Sequence, residues 1–177
     1  GELGTGHAYV GGGDPGPAVN PGPPVPTGML GADYEVKQGK IAFKKIYRGL
    51  NFEEGRRGPL GKPGANLKEG DFLLAIDGVA LDASKSPSQL LVNKVGRSVT
   101  LTVNDKPSME GARKVKVRPL ADESELRYIE WVEGNRRYVA EKTNGRIGYL
   151  HVPDTSIPGV IEFLKGYYSQ SDKEALI

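Results

Sequence analysis

The feature that most constrains the fold is a short apolar run held between two turn signals near the middle of the chain. Gly70-Asp71 closes the first turn, and residues 72–76 form an apolar run of strand length, FLLAI. Asp77-Gly78 follows, a dipeptide typical of tight two-residue hairpin turns, and the extended pattern then resumes. By itself this pattern predicts a β-hairpin and nothing more.

The sequence on both sides of this hairpin supplies further strands and one short helix. Alternating apolar and polar residues predict a second hairpin, and β-branched residues predict two more strands. A proline start, a stop at Gly96 and a capping hydroxyl at Ser86 predict the helix. These elements cover residues 33–36 and 41–47 for the second hairpin, 87–95 for the helix, and 99–103 and 115–120 for the two strands.

A glycine-bearing loop, Leu30-Gly31-Ala32, stands directly before the first of these strands. Such a loop can turn consecutive backbone N–H groups toward one point and so form a site for an anion. Triplets of this kind are common and by themselves a weak signal. The position of this one directly before an alternating strand strengthens the prediction. The sequence therefore predicts an anion site formed by the backbone amides of this loop.

Two segments that cannot form a core of their own precede residue 28. Residues 1–13 hold a short extended patch between glycines, which needs a sheet or a second domain to bury it. Residues 14–27 carry six of the thirteen prolines and are predicted to be a semi-rigid, extended linker. The same linker could serve as a ligand for a proline-reading domain.

From residue 121 the pattern changes from strands to longer helices. A helix is predicted at 126–143, with residues 122–125 as its cap and Asn144-Gly145 as its break. A strand at 147–152, an amphipathic helix at 157–168 and the start of a strand at 175–177 then form a βαβ unit. Because two parallel strands require a larger sheet covered on both faces, we expect the start of an α/β domain that extends beyond this chain.

Composition argues against several classes of function. The 24 basic and 22 acidic residues nearly cancel and form no basic block, so a nucleic-acid partner is not predicted. Zero cysteines exclude disulfides, thiol catalysis and thiolate metal sites, and two histidines, His7 and His151, are too few for a histidine-based metal cluster. No apolar run reaches the roughly 18 residues that span a bilayer, so no membrane partner is expected. No metal and no cofactor are predicted.

The hairpin phrase at 70–78, with the glycine-bearing loop before it, resembles the central part of a PDZ domain. Over residues 28–120 the order is loop, strand, strand, hairpin, helix, strand, strand. This order is similar to the circularly permuted PDZ domains of bacterial and archaeal proteases. The resemblance implies a partly open β-barrel with a flanking helix.

A PDZ domain implies a site for a peptide's carboxyl terminus. The amides of Leu30, Gly31 and Ala32 would hold the terminal carboxylate while the peptide adds a strand beside them. The resemblance implies that Tyr34, Leu90 and Leu91 line the groove for this peptide. The spacing of Leu90 and Leu91 along the predicted helix, taken alone, favours burial in the core instead.

Phrases outside the PDZ-like unit are similar to the tricorn proteases and their relatives among the tail-specific, carboxyl-terminal processing serine peptidases. The most specific phrase is GRIGYLHVPD at residues 145–154. The resemblance covers most of the chain and implies an α+β organisation. In it, residues 1–13 end a first peptidase core segment, and residues 121–177 begin a second one. Further matching phrases lie at residues 5–9, 30–35, 126–136 and 175–177.

The resemblance implies a serine peptidase that hydrolyses peptides, with the PDZ domain binding or orienting peptides or unfolded protein chains. His7 is implied as the general base that takes a proton from the serine nucleophile. Gly6 stands where the family usually carries a serine. The nucleophile and the acid would follow Ile177, so this chain alone is expected to be inactive. The family likeness also implies a cytoplasmic location and a homo-oligomer for the full-length enzyme.

Two other interpretations remain open at this point. The chain could be a non-enzymatic PDZ module that recognises C-terminal carboxylates. Alternatively, the PDZ domain could have a structural role only, packing on its own protease core without meeting substrate.

Overall fold

The computed structural model describes residues 25–50 and 52–177. Three predictions lie outside the described residues: the first core segment at 1–13, the proposed general base His7 and most of the linker at 14–27. The described strands are β1 Ala32–Lys37, β2 Lys40–Ile46, β3 Phe72–Ile76, β4 Val79–Ala80, β5 Val99–Asn104, β6 Arg113–Val117, β7 Ile147–Gly148 and β8 Ala175–Leu176. The α-helices are α1 Ser124–Lys142 and α2 Ile157–Tyr168, and short 3₁₀ helices lie at Glu54–Arg56, Pro59–Gly61 and Pro87–Leu91.

The central hairpin, β3 and β4, has the predicted form. All five residues of β3 are buried, and the strand pairs with β4 across a tight turn. Asp77 and Gly78 form that turn with φ angles of 49° and 83°, so both adopt the left-handed backbone that a type I′ turn requires. The Asp77 carboxylate also accepts hydrogen bonds from Thr100 N and Lys94 Nζ, at 2.8 and 2.9 Å, which ties the turn to its neighbours.

The first six strands form one antiparallel sheet in the order β1-β2-β3-β5-β6, with β4 paired to β3. The sheet is open, because β1 and β6 are its edges. Met29 and Leu120 form an isolated antiparallel bridge, with N–H to O distances of 2.8 Å in both directions. This bridge joins the chain before β1 to the chain after β6, but the described strands form an open sheet rather than a closed barrel. An antiparallel sheet with helices agrees with the predicted α+β class.

The larger of two apolar clusters among the described residues lies inside this curved sheet. Phe43 of β2 and Val99 and Leu101 of β5 have no exposed surface, and Leu60 from a loop is equally buried. Burial of such side chains contributes roughly 1.5–3 kcal/mol each relative to leaving them exposed. The core therefore holds the strands from which the loop at residues 30–32 projects.

The predicted helix at 87–95 is shorter than expected. A 3₁₀ helix spans Pro87–Leu91, and Ser86 Oγ caps it by accepting a hydrogen bond from Ser88 N at 3.3 Å. Val92 is extended and Asn93 has a φ of 59°, so the helical path ends there. The sequence prediction of a helix to residue 95 was wrong, because Asn93 takes the left-handed conformation three residues before the expected glycine stop.

The remaining residues form the predicted helix followed by a βαβ unit. Helix α1 ends before Asn144 and Gly145, which have φ angles of 52° and 76°. Strand β7, which precedes α2 in the chain, pairs in parallel with β8, which follows it. Helix α2 buries only its two glycines, Gly159 and Gly166, while most of its large apolar side chains are exposed. The large apolar residues lie on one face, away from Glu162 and Lys165, so α2 is amphipathic, as the sequence predicts.

Candidate peptide carboxylate site

The chain reaches β1 through a loop that is fixed at both ends. Gly28 N donates to Leu91 O at 2.9 Å, which attaches the loop to the 3₁₀ helix. The bridge between Met29 and Leu120 attaches it to the end of the sheet. Leu30 is 1% exposed and points into the core, so the loop backbone is held against the domain. A backbone held in this way is suited to present its amides in a constant direction.

The backbone amide of Gly31 binds a carboxylate. Gly31 has a φ of 72°, and its N–H donates to Glu123 Oε2 at 2.9 Å. The two residues are 92 positions apart in the chain. Of the three residues predicted to hold a carboxylate, Gly31 makes such a contact, while Ala32 begins β1 opposite Ile46. The predicted anion loop is therefore occupied in the structure by a carboxylate of the same chain.

Arg127 completes the surroundings of that carboxylate. Its Nε and Nη2 atoms donate to Glu123 Oε1 at 3.0 and 2.5 Å. Nη2 also donates to Asp33 Oδ1 at 2.7 Å, and Nη1 donates to Tyr47 Oη at 2.9 Å. Tyr47 Oη in turn donates to Asp33 Oδ2 at 2.7 Å, and the guanidinium lies 4.4 Å from the Tyr47 ring centroid. We call Gly31, Asp33, Tyr47, Glu123 and Arg127 the carboxylate network.

Charges within this network shift the pKa values of its members. The hydrogen bond from Arg127 holds the pKa of the Asp33 carboxyl below its usual range, against the opposing effect of partial burial. The same hydrogen bond, together with that to Glu123, raises the pKa of Arg127. Burial, with smaller effects from Glu123 and Asp33, raises the pKa of the neighbouring Tyr34. At neutral pH, Asp33 and Arg127 are therefore ionised while Tyr34 is neutral.

Helix α1 brings Glu123 to the loop through a leucine packed on two glycines. A Cβ added to Gly31 would lie 2.8 Å from Leu126 Cδ1, and one added to Gly49 would lie 2.7 Å from Leu126 Cδ2. Leu126 is 3% exposed, and together with Ile129 it forms the buried face of α1. Because Gly31 and Gly49 have no Cβ, α1 can pack close to the loop, and this packing places Glu123 against the Gly31 amide.

The predicted groove residues lie in two different environments. Tyr34 is half-buried, with its ring centroid 5.8 Å from that of Phe43. Leu90 is also partly buried and packs against the core, whereas Leu91 is 2% exposed and belongs to the core itself. Among the described strands β1 pairs only with β2, so its other edge has backbone groups available for an added strand.

A separate cavity of about 220 Å³ lies where the loop at 52–56 meets α1 and α2. Arg56 at its wall pairs with Glu125 at 2.7 Å and with Glu162 at 3.6 Å, so ion pairs link the loop to both helices. His151 lines the same cavity, with its ring edge-on to Trp131 at 4.9 Å between centroids. These ring contacts give His151 a structural role at the cavity wall.

Sequence reasoning missed Glu123 and Arg127 as members of the site. The acidic run that contains Glu123 was interpreted as the cap of α1, and Asp122 Oδ1 does accept a hydrogen bond from Ser124 N at 2.8 Å. Nothing local in the sequence distinguishes the capping carboxylate from the one that reaches the loop. Among residues 25–50 and 52–177, no group of three or more His, Cys, Asp or Glu side chains could hold a metal ion. Neither of the described α-helices has the length and apolar character needed to cross a bilayer.

Comparisons with known proteins agree with the geometry. The family model of the tricorn protease PDZ domain matches residues 28–122. The chain is 39% identical over 179 residues to "Tricorn protease homolog 1" of Streptomyces coelicolor, and 38% identical over 179 residues to "Putative Tricorn-like protease C-terminal subunit" of Sulfurisphaera tokodaii. Each alignment covers 100% of this chain, but only 16% and 20% of the length of those two proteins.

A solved structure extends the similarity to three dimensions. The crystal structure of the tricorn protease superposes with a TM-score of 0.74 at 30% sequence identity. The superposition covers 85% of this chain and 14% of that one. The similarity therefore includes most of the fold described above, within a small part of a much longer protein.

Proposed function

Because this chain belongs to the tricorn protease family, we propose that it is part of a serine peptidase that hydrolyses peptides, in which residues 28–120 form a PDZ domain that binds or orients peptide chains. The partners are peptides or unfolded protein chains. Peptide binding by this domain would use the loop at residues 30–32, which we call the carboxylate loop, and the edge of β1.

The observation that carries the proposal is the contact between the Gly31 amide and a carboxylate oxygen at 2.9 Å. It supports the view that the loop has the geometry to bind a carboxylate. The edge of β1 lies next to this loop, where an extended peptide could pair with the backbone. Tyr34 and Leu90 are partly exposed apolar surfaces on the same domain and suit contact with the peptide's side chains.

The catalytic part of the proposal concerns residues outside the described structure. We assign His7 as the general base, on the family resemblance of the motif around it. The serine nucleophile and the acid lie outside these 177 residues in this proposal, so the chain alone is expected to hydrolyse no peptide. The full-length enzyme would be a cytoplasmic homo-oligomer.

The test of peptide binding compares two forms of one peptide. The 177-residue chain is titrated with a fluorescent hexapeptide that has a free C-terminal carboxylate, and with the same peptide as its C-terminal amide. A charge-assisted hydrogen bond contributes about 1.5–3 kcal/mol, so the free acid is expected to bind more tightly, by at least about tenfold once Glu123 no longer holds the Gly31 amide. Equal affinity for the two forms, both in this chain and in its Glu123→Ala variant, would refute carboxylate recognition by the loop.

Two glycine variants show whether the loop is responsible. Gly31→Ala adds a Cβ at a φ of 72°, close to Leu126, whereas Gly39→Ala adds one at a φ of 71° with no atom within 4 Å. Both variants carry the same backbone strain, of about 1 kcal/mol. Only Gly31→Ala is expected to abolish the preference for the free acid. The catalytic assignment is tested in the same samples, since measurable peptide hydrolysis would contradict a nucleophile outside the chain.

A further inference from the structure

The carboxylate loop is not open to solvent in this structure, because Glu123 occupies it. The Glu123 side chain is 15% exposed, and its two oxygens are divided between two donors. Oε2 accepts from the Gly31 amide, while Oε1 accepts from the Arg127 guanidinium. Glu123 thus stands where the terminal carboxylate of a bound peptide would be expected.

Glu123 is held there by the docking of helix α1 on the PDZ domain. It immediately precedes α1, and Leu126 in the first turn of the helix packs on Gly31 and Gly49. The ion pair between Arg127 and Asp33 at 2.7 Å joins the same turn to β1. Because these contacts all lie within one turn, displacing the start of α1 would withdraw Glu123 from the loop.

We propose that Glu123 is a built-in competitor for the carboxylate loop, so that a peptide's terminal carboxylate binds only by displacing it. The inference rests on the proposed peptide-binding function and adds a control to that same site. An incoming carboxylate would replace Glu123 in the hydrogen bond to Gly31 and would face the same guanidinium of Arg127. The apparent peptide affinity is therefore the intrinsic affinity multiplied by the fraction of molecules in which Glu123 has left the loop.

The size of this effect follows from the contact that the peptide must replace. Displacing Glu123 loses one charge-assisted hydrogen bond from the Gly31 amide, while a displaced Glu123 can stay near Arg127. A bond of that kind corresponds to roughly a tenfold change or more in an equilibrium constant. Removing the Glu123 carboxylate should therefore tighten binding of a free-acid peptide by about tenfold or more.

The experiment uses the full 177-residue chain with Glu123→Ala and a matched control, Glu125→Ala. Glu125 lies two residues along the same turn, pairs with Arg56 at 2.7 Å and makes no contact with the loop, so its loss changes the net charge equally. The probes are the free-acid and amidated hexapeptides, measured by fluorescence anisotropy. Glu123→Gln serves as a second variant that keeps the side-chain length. Circular dichroism and Trp131 fluorescence verify that α1 remains folded in each protein.

The expected result is that the free-acid peptide binds about tenfold more tightly to Glu123→Ala than to the parent chain, with no such gain for the amide or for Glu125→Ala. The Gly31 amide resonance should also shift in Glu123→Ala and shift again when the free-acid peptide is added. Equal or weaker binding of the free acid by Glu123→Ala, with its preference over the amide intact, overturns the competitor role but leaves the peptide-binding function standing. No binding of the free acid to any of these proteins overturns both.

Discussion

Leu126→Ala is predicted to detach α1 from the PDZ domain while leaving the core of that domain folded. Leu126 is 3% exposed, and its two methyl groups cover Gly31 and Gly49. The substitution removes three carbon atoms, which is about 2.4 kcal/mol of lost transfer free energy at about 0.8 kcal/mol per group. The space left above the two glycines adds a cavity cost, so the expected loss is about 2.5–4 kcal/mol.

The assay is urea denaturation, followed both by circular dichroism and by the fluorescence of Trp131. This is the single tryptophan of the chain and it lies on α1, so its signal reports on the helix. At a slope of about 2 kcal/mol per molar urea, the fluorescence midpoint should fall by roughly 1–2 M. Tyr138→Ala is the control, because Tyr138 lies on the same helix with 61% of its surface exposed and should change the midpoint little.

A loss below about 1 kcal/mol would refute this reasoning, since a buried leucine in a closely packed contact costs more than that. In that case the ion pairs of Arg127, rather than the packing of Leu126, would be what holds α1. A result in which both probes move together by the full amount would show that α1 and the sheet unfold as one unit.

Two further predictions concern the residues around the loop. Gly58→Ala would place a Cβ 2.2 Å from Tyr47 O, so we expect a loss of about 2–3 kcal/mol in thermal or urea denaturation, whereas Gly55→Ala, with open space around it, should be close to neutral. Arg127 lowers the pKa of Asp33 in the folded state, so the pair stabilises the fold above the ordinary Asp pKa of about 3.9, and this stability is lost as the pH falls through the lower folded value. The urea midpoint of the parent chain should therefore exceed that of Asp33→Asn at about pH 6, and the gap should narrow by about pH 3; a constant gap would contradict the assignment.

The parts of the fold that the sequence predicted correctly are those fixed by local chemistry. Asp77-Gly78 demands a two-residue turn wherever it stands between strands, and Asn144-Gly145 ends a helix by the same left-handed backbone. The end of the helix after Pro87 was predicted wrongly, because an asparagine adopts a positive φ only when its surroundings stabilise that conformation. Nothing in the local pattern marks Asn93 as such a residue.

Only the loop around Gly31 could be predicted from the sequence, and the distant residue that contacts it could not. Gly31 could be identified from its position before an alternating strand, and the structure places a carboxylate on its amide. The source of that carboxylate could not be identified, because Glu123 is 92 residues away and reaches the loop only after α1 has docked. His7 stays a prediction, since it lies outside the described residues and rests on the family resemblance.

The bridge between Met29 and Leu120 has a consequence for how such a domain can be carried by a host protein. The two hydrogen bonds of 2.8 Å hold Met29, before β1, next to Leu120, after β6. The two ends of the domain therefore lie side by side. A module with adjoining ends can be grafted into a surface turn, or deleted and replaced by a few residues, without stretching the scaffold around it. The domain is in this sense transferable as one piece.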